Sequence, residues 1–201
     1  MRLLLIGARP RASLGIALLS LSLACIGPGD PQPIRYFSAE VTPVEAALAT
    51  EPGTPEGGAL RLRYVEAAGH LKERIVWRAS DVEYGFYELR RWTEAPAVWL
   101  ERALAHALFQ ARGFERTEAA AAPALDIELV AFEEYLGDAH EAHVAVELRL
   151  SESGGAALLE KRIERRVPIA DVEPTSVARA VREGLAGVVA EVARAVASSG
   201  E

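Results

Sequence analysis

The chain has one cysteine, Cys25, and it lies at the end of an apolar N-terminal run. A single thiol cannot close an internal disulfide or build a multi-cysteine zinc site. Whatever folds must therefore be held by a hydrophobic core. The material for one is present: 50% of the 201 residues are hydrophobic and 25% are charged, close to the globular average. That length suits one domain with a short extension and is too small for a typical (β/α)₈ barrel. Acidic residues outnumber basic ones by 29 to 22, a formal charge of −7. Nucleic-acid binding is excluded as a general role, because neutralising phosphates needs a lysine and arginine excess.

The first 24 residues read as a targeting segment. Arg2, Arg9 and Arg11 come first, an uncharged stretch follows, and Leu14 to Ala24 is rich in Leu, Ile and Ala. A basic start, a short apolar run and a small-residue processing site make a secretory signal. The stretch Leu21-Ser22-Leu23-Ala24-Cys25 resembles a bacterial lipobox, with Ser22 and Leu23 where the usual pattern has Leu and a small residue. The resemblance implies cleavage before Cys25 and acylation of that residue, several chains each adding about 0.8 kcal/mol per buried CH₂. Two other readings of the run are a signal cut elsewhere and an uncleaved anchor, although Ser, Gly and Pro28 dilute it below the roughly 20 apolar residues a span requires. Loss of the three arginines would leave a mature charge of −10, from −7 minus 3. Charge alone would not draw such a body to anionic lipid.

Residues 25–33 then form a lipidated tether ending in the Pro/Gly-rich stretch Gly27 to Pro33, and residues 34–198 form a single domain. Within it, Thr50 to Gly58 is a loop. Strands are expected at Ile34–Val41, around Leu60–Tyr64, at Ile75–Arg78 and at Val82–Tyr87. Further strands are expected at Leu125–Leu129, Val144–Leu150 and Leu158–Val167, the last two joined by a hairpin at Gly154-Gly155. Leu100, Leu104 and Leu108 mark one amphipathic helix, opened by Pro96 and closed by Gly113. Val177, Val181, Leu185, Val188, Val192 and Val196 mark a second, with Pro174 at its start. The expected class is α+β, a mainly antiparallel sheet packed by the two helices.

Chemistry-bearing residues are sparse. Asp138-Ala139-His140-Glu141-Ala142-His143 is the only cluster with the look of metal ligands. Its histidines are three apart rather than four, and zinc needs three or four convergent ligands, so a solvated turn is expected and no metal. Glu133 and Glu134 are neighbours on a strand and must point to opposite faces, which rules out paired acid/base work. Ser80 and Ser151 lack a nucleophile-elbow context, and His70 and His106 stand alone. Lys161, Arg162, Arg165 and Arg166 interleave with Glu160 and Glu164, as on a solvated sheet face. No catalytic residue and no cofactor is expected.

The order of these features resembles the ABC-type transport auxiliary lipoprotein family. The resemblance rests on Tyr36-Phe37 after the tether, on Ile75-Val76-Trp77-Arg78, and on Tyr87-Glu88-Leu89-Arg90-Arg91-Trp92-Thr93-Glu94-Ala95-Pro96 leading into the Leu-rich helix. Ala39 departs from it, where members often carry Leu. The resemblance implies a non-enzymatic outer-membrane lipoprotein facing the periplasm, an accessory of an MCE-type ABC transport system for lipid or other hydrophobic cargo. Its partners would be the MCE-domain protein and the ABC transporter, with self-association also fitting the role. Ile26, where Asp would favour inner-membrane retention, agrees with outer-membrane sorting. Tyr87 and Trp92 are candidates for partner contact, or else they cap the first helix and fill the edge of the core. The alternative function is an outer-membrane assembly factor of the LptE or TolB N-terminal type.

Overall fold

The computed structural model describes residues 32–42 and 58–199. Cys25, the targeting segment, most of the tether and most of the expected loop at Thr50 to Gly58 lie outside the described residues. Residues 33–201 form one compact unit.

Among its described residues are eight strands and two helices. They are β1 (Arg35–Phe37), β2 (Ala59–Ala67), β3 (Arg74–Arg78), β4 (Tyr84–Trp92), helix α1 (Pro96–Ala105), β5 (Glu115–Arg116), β6 (Ala124–Tyr135), β7 (Glu141–Ser151), β8 (Ala157–Pro168) and helix α2 (Pro174–Ser198). Helix α1 continues into a π-helical turn at His106–Ala111. Gly113 follows with φ 74°, the left-handed conformation that glycine adopts without steric penalty and that stops the helix there.

Strand β6 organises the sheet. One of its edges pairs antiparallel with β7 from Ala124↔Ser151 to Tyr135↔Glu141. Its other edge is shared: β2 runs parallel to its first half and β3 parallel to its last residues, Glu133 to Tyr135. The ladder with β7 shifts register between Leu129 and Ala131, close to where β2 gives way to β3. Strand β8 adds antiparallel to β7, β4 antiparallel to β3, β1 parallel to β4, and β5 parallel to β2. The α+β architecture is as the sequence implies. The sheet is mixed, however: its two longest ladders are antiparallel, while four shorter pairings are parallel. Alternation reports which face a side chain takes and says nothing of strand direction.

Cross-strand pairs show how the two faces arise. Leu125/Leu150, Ile127/Leu148, Leu129/Val146 and Phe132/Val144 face the helices, while Asp126/Arg149, Glu128/Glu147 and Glu133/His143 face outward. Helix α2 lies over β7 and β8 and buries Val177, Val181, Leu185, Val188, Val192 and Val196. Gly184 sits at its closest approach to the sheet, where a Cβ would stand 3.0 Å from Val144 Cγ2. Gly184→Leu is therefore expected to destabilise by about 1–3 kcal/mol through overpacking, despite leucine's better helix propensity. A urea titration reads this as a lower midpoint at unchanged slope.

Helix α1 starts at Pro96, whose missing N–H falls where a helix has no acceptor for it. Trp99 anchors this end by donating its indole N–H to Glu94 Oε2 at 2.9 Å, and Arg102 pairs with the same carboxylate. Under the helix, Trp92 stacks edge-on against Trp99 at 5.6 Å and against Phe132 at 5.4 Å. These three rings join the β4–α1 corner to the middle of the sheet.

Candidate functional site

The outward face of the sheet is a lattice of opposite charges. Arg63 hydrogen-bonds Asp126, Arg162 reaches Glu147 at 3.1 Å and Glu164 at 3.6 Å, and Arg149 reaches Glu160 at 3.4 Å. Such exposed pairs are screened by solvent and contribute little to stability. The basic run on β8 is split by strand alternation. Arg162 and Arg166 belong to this lattice, whereas Lys161 and Arg165 turn to the helix side and pair with Glu191 of α2.

Part of this face is not exposed. Ala131 and Ala145 sit directly opposite each other and give the sheet a shallow floor among long charged side chains. Beside them is a polar cavity of about 240 Å³, walled by Arg78 and Asp81 on one side and by Arg162, Glu164 and Arg166 of β8 on the other. Glu133 lines it and is only 1% exposed. Its Oε1 accepts the Arg78 Nε hydrogen at 2.6 Å and lies 3.3 Å from His143 Nδ1. A carboxylate only accepts, so Nδ1 carries the proton that His143 directs to it. Burial pushes the Glu133 carboxyl up, but hydrogen bonds from His143 and Arg78, with the guanidinium charge, outweigh it and hold the group below the usual range. The other two atoms, Glu133 Oε2 and His143 Nε2, are buried without a hydrogen-bond partner.

Glu134 points the other way. Its Oε2 accepts the Tyr87 hydroxyl at 2.7 Å and its Oε1 lies 2.7 Å from His140 Nε2. Burial pushes the Tyr87 phenol up, and the hydrogen bond to Glu134 adds to that. Two adjacent glutamates thus serve opposite faces, each with its own histidine.

These placements correct parts of the sequence reading. His143 is not in a solvated turn: β7 begins at Glu141 and carries His143 onto the outward face of the sheet, where neighbouring side chains cover it to 7% exposure. His140 is at the turn but is tied to Glu134. His143 meets Glu133 across the β6–β7 register and His140 meets Glu134 from the turn just ahead of β7, pairings that spacing along one strand does not reveal. Trp92, for which the sequence leaves partner contact and core filling both open, is 1% exposed and packs in the core, while Tyr87 is half-buried. Arg78 and Glu133 were not singled out together, because only the parallel β3–β6 pairing brings them within reach. Among the described residues no group of three or more His, Cys, Asp or Glu is arranged to hold a metal ion, and no helix is long and apolar enough to cross a membrane.

Known structures share this architecture. A crystal structure of a Xanthomonas campestris protein matched to the family model DUF330 superposes with a TM-score of 0.69 at 17% identity, covering 83% of this chain and 96% of that one. A second crystal structure, of an uncharacterized protein, gives 0.64 at 15% identity, covering 82% of this chain and 99% of the other. No curated protein matches the sequence. A family model described as the ABC-type transport auxiliary lipoprotein component matches residues 41–193, from ahead of β2 to the last turns of α2. The chain belongs to the ABC-type transport auxiliary lipoprotein component family.

Proposed function

We propose that this protein is the lipid-anchored accessory of an MCE-type ABC transport system, held on the periplasmic face of the outer membrane, where it docks the machinery that carries lipid or another hydrophobic cargo. The family match over residues 41–193 carries the reading. The position of the lone Cys25, directly after a signal-like apolar run, supplies the anchor, and Ile26 favours outer-membrane sorting. Acyl chains at Cys25 hold the body to the bilayer without help from its net negative charge. Nine chain steps, through eight intervening residues, join Cys25 to Ile34. Fully extended they reach about 30 Å, so the domain works within one body-length of the lipid surface. The domain acts through binding surfaces and not through turnover of a substrate.

Cys25→Ala is the direct test of the anchor. The expected result is transfer of the protein from the outer-membrane fraction to the soluble periplasm, with the body still folded by circular dichroism. Retention of Cys25→Ala in the membrane would overturn the anchor. Affinity capture of the wild-type protein from detergent-solubilised envelopes is expected to recover an MCE-domain protein. Recovery of a β-barrel protein in its place would favour an assembly role.

A further inference from the structure

The cavity on the outward face of the sheet has no role in the anchor or in the core. Its charged and polar lining includes Glu133 and His143 on the floor, Arg78 and Asp81 on one wall, and Arg162, Glu164 and Arg166 on the other. With about 240 Å³ it has room for a small ligand and not only for one or two waters.

The floor lacks donors. Glu133 places both of its gained hydrogen bonds on Oε1, which leaves Oε2 buried and unpartnered. With the imidazole neutral and its single proton directed from Nδ1 to Glu133, Nε2 is an acceptor on the cavity side, and it too is buried without a hydrogen-bond partner. The Glu164 carboxylate stands 3.5 Å from that nitrogen. Two acceptors facing each other repel unless a donor stands between them, and buried acceptors left empty are costly. The walls have the opposite need. Arg78 engages Glu133 through Nε alone, and Arg166 reaches its carboxylate, Glu141, only at 3.7 Å. Both forks thus keep N–H groups for an anion at the mouth, and guanidinium groups suit the several oxygens of a phosphate.

We propose that this cavity binds a small phosphoamine zwitterion, its ammonium group directed to Glu133, His143 and Glu164 and its phosphate held by Arg78, Arg162 and Arg166. An ammonium group supplies three donors to the three acceptors, and its charge offsets the buried carboxylate. The phosphate sits two carbons away in phosphoethanolamine, at the arginine-lined rim. The same chemistry is offered by a free phosphoamine and by the head group of an ethanolamine phospholipid. The site stands whether or not the transport reading does.

Isothermal titration of the full-length chain in a maltoside detergent tests it, with phosphoethanolamine, phosphocholine and inorganic phosphate as probes. Phosphocholine keeps the charges but has no N–H donor. Phosphoethanolamine is expected to bind about tenfold or more tighter than either of the others, the factor expected for losing a hydrogen bond to a charged group. Glu133→Gln should abolish its advantage over phosphocholine. Arg166→Ala, at a half-exposed position where folding is not at stake, should weaken phosphoethanolamine about tenfold. Glycerophosphoethanolamine separates the sources: equal or tighter binding identifies a lipid head group, and binding about tenfold weaker identifies a free phosphoamine. Equal affinity for phosphoethanolamine and phosphocholine, or no heat from a folded sample with any probe, would overturn the proposal. The second result is the one expected if a further proton on His143 fills the gap to Glu164 unaided.

Discussion

Trp92→Ala lowers the unfolding free energy by about 3–5 kcal/mol, the range for truncating a large aromatic inside a packed core. Trp92 is 1% exposed and is gripped edge-on by Trp99 and Phe132, so three elements lose contacts at once. Little relaxation is available. Trp99 is held by the Glu94 hydrogen bond, and Phe132 is fixed by its place in β6 opposite Val144. Edge-to-face pairs add about 0.5–1.5 kcal/mol beyond burial, which places the loss in the upper part of the range. The checking measurement is a urea titration followed by far-ultraviolet circular dichroism. The midpoint should drop while the slope stays constant. Capture of any partner should then follow the folded fraction. An unchanged midpoint with lost capture would show that the ring is presented to a partner and would remove it from the core.

That residue shows where sequence reading reaches its limit. The Tyr87–Pro96 stretch is distinctive in sequence, and distinctiveness served family recognition while leaving open whether Trp92 faces in or out. The helices were legible because one apolar stripe at a 3.6-residue period admits one burial pattern, as Leu100 and Leu104 in α1 and the valines of α2 show. The strands were legible where polar and apolar residues alternate, as in β7 from Val144 onward. They were truncated where alternation is interrupted by buried polar residues. Strand β6 runs on to Tyr135 through Glu133 and Glu134, and β7 starts at Glu141 with His143 inside it. A buried glutamate looks like a loop residue until its partner is known, and the partners here come from Arg78, 55 positions away, and from the far side of a hairpin. The opposite orientation of Glu133 and Glu134 did follow from strand geometry alone. The same geometry prevents them from acting on one bond and lets them build two separate polar clusters.

Arg78→Ala is expected to destabilise the domain by about 3 kcal/mol at neutral pH. Removing one member of a buried pair strands the other charge, and the lower end of the range applies because Arg78 is about one-fifth exposed and His143 still bonds Glu133. The deficit should depend on pH in a defined direction. The Glu133 carboxyl is held below its usual range in the folded protein, so its contribution is complete above the ordinary glutamate value of about 4.3. That contribution fades as the pH falls through the lower, folded value. The gap between wild type and Arg78→Ala should thus be widest at neutral pH and narrow below about pH 4. Urea midpoints for both proteins across pH 3–7, roughly the window around that value, provide the check. A gap that stays constant would assign the loss to packing of the arginine stem against Tyr84, whose ring lies 5.2 Å from the guanidinium. Replacing both partners, as Arg78→Met with Glu133→Leu, is expected to recover most or all of the lost stability, since apolar side chains of similar volume carry no desolvation cost. Recovery would mean that an ion pair is not what this position needs in order to fold. The guanidinium and the half-satisfied carboxylate would then have to be explained by what enters the cavity beside them, and the double variant should bind none of the phosphoamine probes.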